Sequence, residues 1–289
     1  MSLDPRLLRD GRARVAMACL ILLFAVALLA PWITTGDPAL QRDVSATRFL
    51  PPFTTDGYGV FHLLGTDRLG RDVWTRLAFG ARVSLGVGFL AVLLSVTIGV
   101  VIGAVAGMGR GVVSRALLAL TDFALALPRV ALLLLLAALW APSVTLVVAV
   151  LAVTGWMPVA RLVYGEVRGV MARPYVEGAI ALGAGRARLL GHHVLRNVLT
   201  PVIAAAALGV GNAIMLEAGL SFLGLGVQPP APSWGNMIAS GRDALVNAPW
   251  VAAAPGIALV LVVVACTLLG DALQDALAPG ARVELVRGG

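Results

Sequence analysis

Lysine is absent. All 22 basic residues of this 289-residue chain are arginine, and charged residues make up only 13% of it, against roughly 25% in an average soluble domain. The first absence removes the nucleotide loop GxxxxGK[ST], Schiff-base catalysis and lysine general bases, all of which need the amine. The second argues against a water-soluble enzyme. Cys19 and Cys266, the two cysteines, sit in apolar runs near opposite ends, as small core hydrophobes do; they make no disulfide framework and no CxxC metal site. The three histidines, His62, His192 and His193, all lie outside the apolar runs. An intramembrane serine protease would need a serine–histidine pair at depth, and no HExxH zinc motif occurs. Gly270-Asp271 would suit an intramembrane aspartyl protease, but a second catalytic aspartate has no convincing counterpart.

What is plentiful is apolar: 59% of residues are hydrophobic. A hydrocarbon core about 30 Å thick needs about 20 apolar residues per crossing helix. Stretches at Val15–Ile33, Val83–Gly107, Ala116–Trp140, Val144–Ala160, Pro201–Leu223 and Val251–Gly270 qualify, so an all-α polytopic protein with six transmembrane helices is expected. Pro142 favours a turn between the third and fourth. A cleaved signal peptide would share the basic leader of the first stretch, but five further spans follow it.

Arginines number 14 in the segments 1–14, 108–115, 161–200 and 272–289, and 7 in 34–82 and 225–250. The positive-inside rule then puts both termini in the cytoplasm, with the spans surrounded by lipid. The sequence pI near 10.8 follows from this asymmetry, so no nucleic-acid partner is expected. Three regions result: a leader, first span and outer loop over 1–82, a five-span core over 83–275, and a short cytoplasmic tail over 276–289. Asp72 to Phe79 places Val73, Trp74 and Leu77 on one face, which reads as a short interfacial helix.

The inner loop 161–200 carries more charge than any other inner stretch. Pro174 suits a helix start, Glu177 falls in the first turn where the helix dipole favours a carboxylate, and Gly183 and Gly185 suit a stop. A second helix is expected to lead from there into the fifth span. Glu177, Ala179 and Gly183, with Val194-Leu195 and Asn197 further on, resemble the "EAA" coupling loop of binding-protein-dependent ABC importer permeases. Gly178 stands where that pattern has alanine, loosening the helix by up to about 1 kcal/mol, and Arg196 stands where it has proline. Gly65-Thr66-Asp67-Arg68-Leu69-Gly70-Arg71-Asp72 and the run Glu217 to Gly226 with Ser233-Trp234-Gly235-Asn236 resemble the "C" subunits of dipeptide, oligopeptide and nickel permeases.

That resemblance implies a type I ABC importer permease fold in a bacterial inner membrane and a non-catalytic subunit forming half of a translocation pore, most simply for di- or oligopeptides. It implies a second, homologous permease subunit in a heterodimer, two ATP-binding-cassette subunits that bind ATP and magnesium, and an extracytoplasmic substrate-binding protein. No cofactor is expected in this chain. Glu177, Gly178, Ala179 and Gly183 are implied to seat a coupling helix in the ATPase. An ion-coupled secondary transporter is the alternative, since Asp122, Arg129 and Glu217 fall within spans.

Those three charges are the candidate pore or substrate contacts, because an ionisable group at membrane depth is costly unless paired or wetted. Asp122 and Arg129, seven residues apart, are expected on one face of the third span. Ser95, Gly99, Gly103 and Gly107 recur every four residues in the second span, a stripe suited to close helix packing.

Overall fold

The computed structural model describes residues 10–277 apart from 35, 42, 110, 184, 186 and 187; the side chains of Glu177, Ile180, Leu190, His192, His193, Arg196 and Leu277 also lie outside the description. The expected tail beyond Leu277 therefore falls outside it. Among the described residues ten α-helices follow in order: α1 Gly11–Ile33, α2 Val44–Thr47, α3 Val73–Met108, α4 Val112–Ala126, α5 Arg129–Ala138, α6 Val144–Met171, α7 Pro174–Ala181, α8 Leu195–Phe222, α9 Trp234–Gly241 and α10 Trp250–Leu277. Among the described residues, α1, α3, α6, α8 and α10 are each long and apolar enough to cross a bilayer, and α4 with α5 makes a sixth crossing if the bent pair is one span.

Local chemistry sets several of these boundaries. Asp10 opens α1 by accepting from the Arg12 N–H at 2.8 Å, Ser143 opens α6 by accepting from Leu146 at 3.1 Å, and Asp72 opens α3 by accepting from Thr75 at 2.7 Å. Each side chain satisfies an amide that the first helical turn leaves unpaired. The short helix expected over 72–79 is therefore not separate. It is the start of α3, which runs on without a break into the second span.

The third span departs most from expectation. Instead of one helix, α4 and α5 meet at an 87° bend. Leu127 and Pro128 are extended there (ψ 137° and 108°), because proline removes a backbone donor and drives its predecessor out of the helical region. Asp122 and Arg129 consequently stand on different helices and do not share a face. The fourth span is also longer than expected: α6 continues to Met171, so residues 161–171 belong to the helix and the loop expected over 161–200 is correspondingly shorter. The expected second loop helix is a π-helical turn, Leu189–Val194, which feeds directly into α8.

The small-residue stripe lies where α3 crosses α6, the most extensive helix pairing among the described residues. A Cβ on Gly99 would lie 2.7 Å from the Trp156 carbonyl, one on Gly103 2.5 Å from the Ala160 carbonyl, and one on Gly107 2.7 Å from Val167 Cβ. Backbone contact of this closeness is what small residues permit in a bilayer.

The segment between α1 and α3 packs at the start of α3. Strands β1 Thr54–Thr55 and β2 Phe61–His62 pair antiparallel, and His62 Nδ1 lies 2.8 Å from the Asp72 carboxylate that caps α3. Burial would push the Asp56 carboxyl up, but the Val60 and Tyr58 amides and the His62 imidazole outweigh it and hold it below the ordinary range. Buried Asp67 accepts from Arg71 Nε at 2.7 Å, so acid and arginine of this motif pair within it. Gly65 and Gly70 both adopt φ of +71° with neighbours where a Cβ would sit, which accounts for the two glycines of that motif.

Candidate functional site

Helix α6 is joined to α7 by a short turn, and α7 is held down by one residue. Val176 is fully buried in a cluster with Val163, Val167 and Val170 of α6, Val194 of the π-helical turn, and Val198 and Val202 of α8. Among the other described residues of the helix and its end, Tyr175 is half exposed, Leu182 is 91% exposed, and Gly178 and Gly183 have no neighbour within 4 Å of a would-be Cβ. Gly183 ends the helix at φ +84°, the left-handed conformation of a glycine stop. Ala179 is partly buried against the valine cluster. Glu177 lies in the first turn of α7, its side chain outside the described residues. The structure thus places Glu177, Gly178 and Ala179 on one short helix and Gly183 in the turn that ends it, with Val176 as the anchor and Tyr175 and Gly178 exposed.

A cavity of about 830 Å³ opens between α3, α6 and α8. Its wall runs from Ser95, Arg129 and Gly155 to Glu166, Arg173 and Asn197 beside α7. Arg129 is the one predicted span charge on this wall. Its Nη2 lies 3.3 Å from the place a Gly155 Cβ would occupy, with Ser95 Oγ equally close to that place. Gly155 is thus the notch that admits the guanidinium. It is the twelfth of 28 residues in α6, about 17 Å from the helix start, which puts Arg129 near mid-membrane. Arg129 Nε is buried without a hydrogen-bond partner, and among the described residues no carboxylate pairs with this arginine.

The other two charges are elsewhere. Asp122 faces Arg161 of α6 at 2.9 Å, both side chains half exposed, and neither lines the cavity. Glu217 is completely buried and accepts from Ser84 Oγ of α3 at 2.8 Å and Ser221 Oγ at 2.7 Å. Those hydroxyls in turn accept from the backbone N–H groups of Trp234 at 3.2 Å and Val227 at 2.9 Å. Glu217 therefore knots α3, α8 and the start of α9, away from the cavity. Sequence reasoning missed Glu166 and Arg173 as cavity residues because it placed both in the inner loop 161–200. The signal available was the apolar spacing Val159, Val163, Val167 and Val170, which carries the helix onward.

Residues 99–283 match the family described as binding-protein-dependent transport system inner membrane component, and residues 5–52 match the N-terminal membrane domain of oligopeptide transport permease C. The di/tripeptide transport system permease protein DppC of Pseudomonas aeruginosa is 40% identical over 90% of this chain and 85% of its own length. The dipeptide transport system permease protein DppC of Escherichia coli K12 is 39% identical over 94% and 90%, and a putative peptide transport system permease protein of Brucella suis 37% over 96% and 91%. A helical chain with five to six apolar spans, matched by that family over most of its core and by such relatives nearly end to end, is a multi-pass permease subunit of the inner membrane and belongs to the binding-protein-dependent transport system inner membrane component family.

Proposed function

We propose that this chain is the permease subunit of an ATP-driven importer of di- and oligopeptides, lining half of the pore and taking its power stroke through α7. The observation that carries the reading is α7 itself: a helix anchored by buried Val176 with open space around Gly178, next in the chain to the span that forms the cavity wall. The chain lacks a lysine-bearing nucleotide loop, so two partner ATPase subunits would supply the hydrolysis. The arginine asymmetry supports cytoplasmic termini and an α7 on the ATPase side. A related second permease would complete the pore, and an external binding protein would deliver cargo. The peptide class rests on the relatives' names.

Gly178 gives the decisive test. A bulky residue at Gly183 would be strained by its positive φ, confounding folding with docking. Gly178 has open space around it within this chain, so Gly178→Trp should leave the chain folded. Reconstituted with its partners, that variant is expected to lose peptide uptake about tenfold or more, as the roughly 1–3 kcal/mol of overpacking at a close interface implies. ATP hydrolysis should continue, detached from uptake. Normal coupled uptake would remove α7 from the mechanism, and uptake that ran without ATP and collapsed with an uncoupler would favour the ion-coupled alternative.

A further inference from the structure

We propose that Arg129 is a carboxylate subsite in the wall of the cavity, contacting peptide cargo in transit; the cargo class rests on the function proposed above. Three observations meet at this residue. It is a cation near mid-membrane on the wall of a cavity large enough for a small peptide. Among the described residues it has no acidic partner, and its buried Nε is unsatisfied. It also stands at the first position of α5, whose N-cap is Pro128 and provides no side-chain hydrogen bond, so the positive end of that helix adds to its charge.

A permanently charged group at this depth costs several kcal/mol unless something compensates it. Asp122, the acid that sequence spacing offers, is taken by Arg161 of α6. Among the described cavity residues the remaining acid is Glu166, eleven residues from Gly155 along α6 and so about 16 Å away along the helix axis. An extended dipeptide spans only about 7 Å. A dipeptide whose carboxylate is held at Arg129 therefore leaves its ammonium short of Glu166, and recognition at this point acts on the carboxylate. The guanidinium suits that role because its planar fork can hold a carboxylate by two parallel hydrogen bonds, and lysine keeps the charge but not the fork. Gly155 positions it by leaving room against α6.

The test uses the complete reconstituted transporter with saturating binding protein and three peptides: Ala-Ala, Ala-Glu amide and Ala-Ala amide. These carry a terminal carboxylate, a side-chain carboxylate and neither. Arg129→Gln should cut Ala-Ala turnover by about tenfold to hundredfold, the range of a lost charge-assisted contact, without lowering the melting temperature. Arg129→Lys should recover much of the loss. A parallel fall with Ala-Glu amide extends the subsite to acidic side chains, and its absence restricts the subsite to the C-terminus. Unchanged Ala-Ala turnover in Arg129→Gln overturns the proposal, as does an equal fall with Ala-Ala amide or a fall that Arg129→Lys does not relieve. Wild-type uptake without ATP would defeat the importer reading and leave the Arg129 comparison intact.

Discussion

Gly103→Leu should leave little folded chain in the membrane, while Gly86→Leu on the same helix accumulates normally. The contrast is geometric. A Cβ at Gly103 lies 2.5 Å from the Ala160 carbonyl and 2.7 Å from Val163 Cβ, whereas nothing lies within 4 Å of one at Gly86. Both obstacles at Gly103 are on α6 and neither is the tip of a flexible side chain, so α6 itself must move. Overpacking a tight contact costs about 1–3 kcal/mol, occasionally more, and leucine adds three further carbons to the clash. Gly99 and Gly107 keep the same contact closed over about 12 Å of α3, so the separation cannot be absorbed within one turn. Membrane abundance and the melting temperature of detergent-purified protein are the readouts. Equal abundance of the two variants would mean that the α3–α6 contact does not limit stability.

On the function proposed above, this contact also bears on transport. The stripe ends at Ser95, beside Gly155 and Arg129, while α6 is followed by the turn that leads to α7. A displacement imposed on α7 is therefore delivered to a helix clamped along its length. Close packing transmits such a displacement to the cavity wall with little loss.

The stripe was legible in the sequence because a four-residue repeat of small side chains has one physical use in a bilayer. The α7 start and stop were legible because proline and glycine act locally. The α4–α5 bend was hidden by hydropathy: Ala116 to Trp140 averages apolar throughout, and a window that averages cannot see Pro128. The rule that a residue before proline leaves the helix, applied at Leu127, would have separated Asp122 from Arg129. The Asp122–Arg161 pair was beyond reach, since it depends on how α4 lies across α6. Glu217 drew attention as a charge at depth, but its role needed Ser84, which is 133 positions away. Only the local half, Glu217 with Ser221 one turn on, could be read directly.

Glu217→Ala is expected to destabilise the protein by several kcal/mol, and its failure should be one of folding and not of cargo recognition. The substitution leaves the Ser84 and Ser221 hydroxyls without their acceptor in a fully buried site. Each unsatisfied buried group costs about 1–3 kcal/mol, and a cavity adds to this. Glu217→Gln should fall between, because its amide oxygen can accept from one serine while its NH₂ cannot accept from the other. Replacing the knot with apolar residues should not rescue it. Ser84 and Ser221 also accept from the amides of Trp234 and Val227, so Ser84→Ala with Ser221→Ala would orphan two backbone donors instead. The consequence reaches α9, whose capping box of Ser233 and Asn236 is hung from this point, with Trp234 Nε1 donating to the Leu77 carbonyl at 3.2 Å. Thermal unfolding of the purified complex separates the two readings of Glu217. A lowered melting temperature that follows Ala below Gln below wild type supports the buried knot. An unchanged melting temperature with lost uptake would return Glu217 to the pore.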